Sequence, residues 1–430
     1  MTFDGFKRKW VEAFTPWKRE LTEAQCSSNF VSEPIKLSRT EQGFYLNPQN
    51  KHLDVYTKRA ALKVSTSVVS LKSYSGEKEI FQCSGTIIES VNSYSIILTS
   101  ASLFRCSTSG NSIADNIKVI VHLFDGRSFD GQIESYDLHY NVAAVKIQSD
   151  TALPIASLAH LSDSITINPS QLRSTEENSF QLRPHSNSFD LIPGDIVIAL
   201  GRFYAKPYGI TAAPGEFCID RCDDDLECKE LLKATCNIMR CGIGGPLINR
   251  YGEVIGICFY DPGSIAFLPI NIASIWWEHY KKYRQSRRPW LGMEVTNLYA
   301  ARLRILEIII SKFPDVLTGV IVEEVLPGSS AESAGIKPND VIIQFGGKRI
   351  QSFLELFENM WNNVGESVEL VVIRASDDVP VHLSMVVEEL ATLGGMMTFK
   401  NSYVLRVADR VVSSLAPKYN QLFGKHLLEL

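Results

Sequence analysis

The period of the hydrophobic positions changes along this chain. Between Ala60 and Pro269, short apolar or β-branched runs alternate with turn signals, at residues 64–71, 86–89, 95–99, 117–124, 141–147, 195–201 and 254–260. Many short strands at close spacing predict an all-β barrel or sandwich. After Asn271 the pattern turns helical through Trp276, Trp277 and Tyr280. The basic stretch 281–288 is broken by Tyr283, Gln285 and Ser286 and reads as a solvated linker. A second unit follows, with strands predicted at 319–325, 341–345, 368–374 and 381–387 and a turn at Pro327-Gly328. Within it Phe353, Leu356, Phe357 and Met360 recur at helical spacing, which predicts a helix with one apolar face.

The ends are less patterned. Trp10, Phe14 and Trp17 mark one short amphipathic helix in an otherwise irregular arm. Val404, Val407, Ala408, Val411 and Leu415 mark another in the tail. The resulting division is an arm at 1–58, a β-rich unit at 59–280, a second unit at 285–390 and a tail at 391–430. Residues 162–188, rich in Ser, Asn, Gln and Arg, are expected to form a long exposed loop. Residues 216–235, with Asp223, Asp224 and Asp225, are expected to form a second surface excursion.

Composition narrows the function classes. At 430 residues the chain exceeds one ordinary core. A net charge of -5 gives no electrostatic case for nucleic acid. No uncharged apolar run approaches the roughly 18 residues of a membrane span. Charges from Asp4 to Glu20 interrupt any secretory or transit signal, so a cytoplasmic or nuclear location is expected. Nine cysteines, an odd number at irregular spacings, fit free thiols. Cys218, Cys222, Cys228, Cys236 and Cys241 lie close together but contain no Cys-x2-Cys pair, so neither a metal site nor a cofactor is expected.

The most informative phrase is Cys241-Gly242-Ile243-Gly244-Gly245-Pro246-Leu247, followed by Gly252-Glu253-Val254-Ile255-Gly256. It resembles the active-site region of the HtrA (Do-like) proteases, which carry Gly-Asn-Ser-Gly-Gly-Pro-Leu there. Such glycines let the backbone turn tightly, so that the nucleophile's N–H and an earlier one converge as an oxyanion hole. Here Ile243 stands at the serine position, with no hydroxyl to acylate. Ile97-Leu98-Thr99-Ser100-Ala101-Ser102 resembles the family's Ile-Leu-Thr-Asn-Ala-His, which puts Ser102 where the general base belongs. Asn141-Val142-Ala143-Ala144-Val145-Lys146-Ile147 resembles Asp-Leu-Ala-Val-Leu-Lys-Val, which puts Asn141 where the orienting acid belongs. Three further phrases, starting at Cys83, Gly194 and Ala266, follow the family's order.

The second unit resembles the family's PDZ domain. Arg288-Pro289-Trp290-Leu291-Gly292-Met293 is similar to its carboxylate-binding loop, and Pro327-Gly328-Ser329 through Asp340-Val341-Ile342 to its most recognisable stretch. The resemblance implies a mainly β fold, a trypsin-like double β-barrel followed by an α/β PDZ domain. It implies peptide binding by Trp290, Leu291, Gly292 and Met293, with Leu356 and Met360 lining the groove. It also implies partners: unfolded or C-terminal peptide segments, and homo- or hetero-oligomers with HtrA relatives through N-terminal segments such as Phe44-Tyr45. No catalytic residue is expected, because Ser102, Asn141 and Ile243 replace all three. The competing reading is an active endopeptidase with a relocated site, for instance His139 with Cys241. A two-residue shift moves a side chain about 6–7 Å, against the roughly 3 Å that catalysis needs. On that ground His139 is expected on an exposed turn and Cys241 as a buried apolar residue; Asp137, with no histidine to orient, is expected on a surface turn.

Overall fold

The computed structural model describes residues 52–390 apart from 107–111, 170–188, 220–227, 229, 262, 286, 287 and 291, together with 392, 393, 396 and 397. The helices expected around Trp10 and Val407, and the pair Phe44-Tyr45, lie outside the described residues. Among the described residues no helix is long and apolar enough to cross a membrane.

Helix α1, Val55–Ser65, comes first. Asp54 caps it by accepting from the Tyr56 and Thr57 N–H groups. Its buried face is Thr57, Ala60, Ala61 and Val64, the i, i+3, i+4, i+7 spacing of an amphipathic helix. Val64, expected to begin a strand, therefore belongs to this helix. It packs on the second barrel, where Lys63 Nζ donates to the Tyr251 carbonyl at 2.7 Å.

The first barrel comprises β1 (Val68–Ser75), β2 (Lys78–Ser90), β3 (Tyr94–Ser100), β4 (Ile117–His122), β5 (Ser128–Asp137) and β6 (Val142–Gln148), closed in the order β1-β2-β3-β6-β5-β4. Strand β6 shows why it holds: Ala143, Val145 and Ile147 fill the barrel interior. Val142 and Ala144, on the opposite face, join a separate core outside. A short parallel pair, β7 (Leu161–Ser162) with β8 (Phe189–Asp190), precedes the second barrel. That barrel comprises β9 (Ile196–Arg202), β10 (Ile210–Cys218), β11 (Leu232–Ala234), β12 (Pro246–Ile248), β13 (Val254–Asp261) and β14 (Ser264–Pro269), closed as β10-β11-β14-β13-β12-β9. Strand β11 lies in the stretch expected to be a surface excursion. It pairs with both β10 and β14, and Cys228 and Leu231 before it are buried, so the apolar positions there outweigh the acids. Closure leaves neither barrel an open edge.

Helix α2 (Ile270–Tyr283) continues directly from β14 and buries Trp276 and Trp277. The last unit contains β15 (Arg288–Trp290), β16 (Met293–Asn297), helix α3 (Leu303–Lys312), β17 (Val320–Val325), β18 (Val341–Phe345), β19 (Lys348–Arg349), helix α4 (Phe353–Asn362), β20 (Ser367–Ile373), β21 (Val381–Val386) and β22 (Glu388–Leu390). Its main sheet runs β16-β17-β18-β20-β21, and β15 pairs with β22. Helix α4 buries Phe353, Leu354, Leu356, Phe357, Met360 and Trp361, one broad face that is wider than the predicted stripe. Phe357 and Trp361 reach out of their own unit to Tyr140, with ring centroids 6.1 and 6.4 Å away. One apolar core thus runs from the second barrel through α2 and α4. Arg288, expected in a solvated linker, is 3% exposed and lies over the Tyr140 ring.

Candidate functional site

Ser102 sits in the 3₁₀ turn that follows β3, where its N–H donates to the Ser100 hydroxyl. Its own hydroxyl donates to Asn141 Oδ1 at 3.1 Å, and the Ala101 N–H donates to the Asn141 carbonyl at 2.9 Å. Asn141 holds φ at +52°, a left-handed conformation that asparagine tolerates better than most residues. Ile243 is half-buried and packs against the first barrel's core, while its carbonyl accepts from the Ser84 N–H at 2.8 Å. An alcohol bonded to a primary amide contains no proton acceptor of useful basicity.

The turn around Ile243 keeps its glycines but not an open hole. Arg240–Gly242 forms a 3₁₀ turn, and the Ile243 N–H donates back to the Arg240 carbonyl at 3.1 Å. An oxyanion hole needs that donor aimed at the place where charge develops. Here it is committed to the backbone. Gly244, at φ +71°, is required: a Cβ there would lie 2.5 Å from the Ser84 carbonyl oxygen.

Neither member of the expected His139–Cys241 pair is set up for catalysis. Cys241 is buried, and burial pushes its thiol up to about 12. His139, expected on an exposed turn, is half-buried beside Glu230, with Nε2 and Oε2 3.2 Å apart. The Cys228 thiol donates to the same Oε2 at 3.3 Å. The carboxylate therefore stands between thiol and imidazole, whereas nucleophilic catalysis needs the imidazole in the middle. Burial also pushes the Cys228 thiol well up. Asp137, expected on a surface turn, is buried and accepts from the His139 and Tyr140 N–H groups, because this hairpin packs beneath Arg288. A serine does meet a histidine at His122 Nδ1 and Ser128 Oγ, 2.7 Å apart. They are cross-strand partners of β4 and β5, and burial, with Lys72 and Lys206, lowers the imidazole's pKa.

In the last unit, Gly292 is held at φ +63°, where a Cβ would come within 2.4 Å of the Ser329 side chain. Its carbonyl accepts from the Leu326 N–H at 2.9 Å. Trp290 is half-buried opposite Glu388, and Met293 is buried at the start of β16. Leu291 lies outside the described residues. Leu356 and Met360 do not line an open groove: both are 0% exposed, within the core that α4 shares with α2 and the second barrel. Asp163 adds a tie that the sequence concealed. Asn297 Nδ2 donates to its carboxylate at 2.7 Å and the Leu354 N–H at 3.3 Å, so the end of β16 and the start of α4 share one anchor. Asp163 falls at the front of the stretch expected to be an exposed loop, yet it is buried, and burial pushes its carboxyl up.

Comparison with known proteins agrees with this architecture. Residues 83–257 match the family model of the trypsin-like peptidase domain, and residues 321–374 that of the PDZ domain. The chain is 34% identical over 364 residues to the putative protease Do-like 14 of Arabidopsis thaliana, covering 80% of this chain and 74% of that protein. It is 30% identical over 284 residues to the periplasmic serine endoprotease DegP of Escherichia coli K12, covering 64% of this chain and 53% of the relative. With serine protease HTRA1 of Xenopus tropicalis the identity is 25% over 290 residues, covering 64% and 56%. The chain thus spans little more than half the length of these last two relatives. Among solved structures, the HtrA-type protease AlgW with tripeptide aligns over 79% of this chain and 99% of its own, at a TM-score of 0.49 and 21% identity.

Proposed function

This chain belongs to the HtrA (Do-like) family of trypsin-type proteases with a PDZ domain, and we propose that within it the chain is a non-catalytic homologue that binds unfolded or C-terminal peptide segments. The observation that carries this reading is Ile243, a side chain with no nucleophilic atom, on a turn whose N–H is already bonded to Arg240. Ser102 and Asn141 supply neither a base nor an acid to orient one. A substrate carbonyl placed there meets nothing that attacks it and one oxyanion donor fewer.

Binding rests on different groups. A PDZ domain takes a peptide as an added strand, so affinity comes largely from main-chain bonds. Strand β16 stands at one end of its sheet, and the Gly292 turn precedes it. Both support peptide addition at this strand. Since Leu356, Met360 and Met293 are core residues, the terminal side chain is read nearer the half-buried Trp290. The test is a titration of the full chain with peptides ending in Leu, as free acid and as amide. The acid is expected to bind at least about tenfold tighter, or about 1.4 kcal/mol, and to be recovered uncut. Equal affinity, no binding at millimolar peptide, or cleavage would each contradict the proposal.

A further inference from the structure

We propose that His139, Cys228 and Glu230 form a zinc site that staples the first barrel to the second. Their ligand atoms all lie within 4.8 Å of one another. His139 Nε2 is 3.2 Å and Cys228 Sγ 3.3 Å from the same carboxylate oxygen, Glu230 Oε2. Zinc bonds of about 2.0–2.3 Å at tetrahedral angles separate neighbouring ligand atoms by roughly 3.3–3.6 Å. An ion therefore fits among these three with small side-chain adjustments. One nitrogen, one thiol sulfur and one carboxylate oxygen form a borderline-soft set that suits zinc and not calcium or magnesium. The carboxylate in the middle does not suit a catalytic triad, but it leaves all three ligand atoms within reach of one shared ion.

The surroundings point the same way. Among the described residues, the buried Tyr140 hydroxyl meets no hydrogen-bond partner, and neither do the buried His139 Nδ1 and Arg288 Nε and Nη1. Buried polar atoms left unpaired in one place are a mark of a missing water or ion. The Tyr140 hydroxyl stands in the field of Glu230, Arg288, Asp137 and Cys228. On binding, the thiol proton leaves to solvent and the imidazole presents a neutral nitrogen. Thiolate and carboxylate then balance the dication. Asp137, 3.9 Å from Arg288, offsets that cation. The His139 and Glu230 side chains keep 16% and 15% exposure, which leaves the ion a way in.

The three residues sit on different barrels: His139 in the turn between β5 and β6, Cys228 and Glu230 in the approach to β11. Zinc there links the barrels, and its binding stabilises the folded chain by mass action. The experiment uses the full chain, stripped with chelator and reloaded with zinc alone or cobalt alone. Expected results are one tightly held zinc per chain, a cobalt spectrum with thiolate charge-transfer absorption, and a melting temperature raised by zinc. Cys228→Ser and Glu230→Gln should lose the ion and the thermal shift, while Cys236→Ser keeps both. The proposal is overturned if the wild-type chain retains no zinc, if cobalt shows no thiolate band, or if Cys228→Ser binds zinc as the wild type does. The cobalt spectrum of the wild type decides the matter even if a variant fails to fold.

Discussion

Gly244 and Ile243 are neighbours with different parts in one turn: Gly244 supplies the left-handed backbone the turn needs, and Ile243 carries no nucleophilic atom. Replacing Gly244 by Ala sets a methyl group against the Ser84 carbonyl in a left-handed conformation. That is expected to destabilise the chain by about 1–3 kcal/mol, read from urea unfolding. Asp163 supplies a pH prediction. Burial raises its folded-state pKa, so the stability it contributes is fully present below the ordinary carboxyl value and lost as pH rises through the raised one. Asp163→Asn adds a constant offset from its lost bond to Asn297 but removes the titration. The melting temperature of the variant relative to wild type should therefore climb as pH rises from about 4. A difference that stays flat across that range would show that Asp163 ionises freely. Ile243 was legible in the sequence because strongly patterned glycines surround it. Asp163 was not, since a single buried acid within a polar stretch leaves no periodic trace.

Helix α4 shows the same boundary between legible and hidden at the level of an element. The recurrence of Phe353, Leu356, Phe357 and Met360 predicts a helix with a buried face, and the helix is there. Periodicity says that a face is buried but not against what, so the burial of Leu354 and Trp361 and the contact with Tyr140 could not be read from it. Helix α1 was missed because its face is built from Thr57, Ala60 and Ala61, small residues that carry little hydrophobic signal. Trp361→Ala should cost about 3–5 kcal/mol. Because that side chain belongs to a core shared by barrel and PDZ domain, calorimetry should show one transition shifted downward. A separate early transition for the PDZ domain alone would mean the shared core does not couple them.

For the molecule as a whole, the order of the family's phrases along the chain made the double barrel and the PDZ domain legible. The docking between them was not, because it depends on Tyr140, Asp163, Arg288 and Trp361, which are far apart in sequence and belong to no motif. The same holds for His139, Cys228 and Glu230, whose spacing resembles no ligand pattern. The central claim is that a chain with this fold no longer performs the chemistry of its family. It is tested most directly by incubating the full chain with unfolded casein and with a fluorophosphonate, beside a catalytically active HtrA protease as control. No cleavage and no covalent labelling are expected under conditions where the control shows both. Stoichiometric labelling of any residue in the cleft between the barrels, or casein hydrolysis that follows the protein through purification, would contradict it.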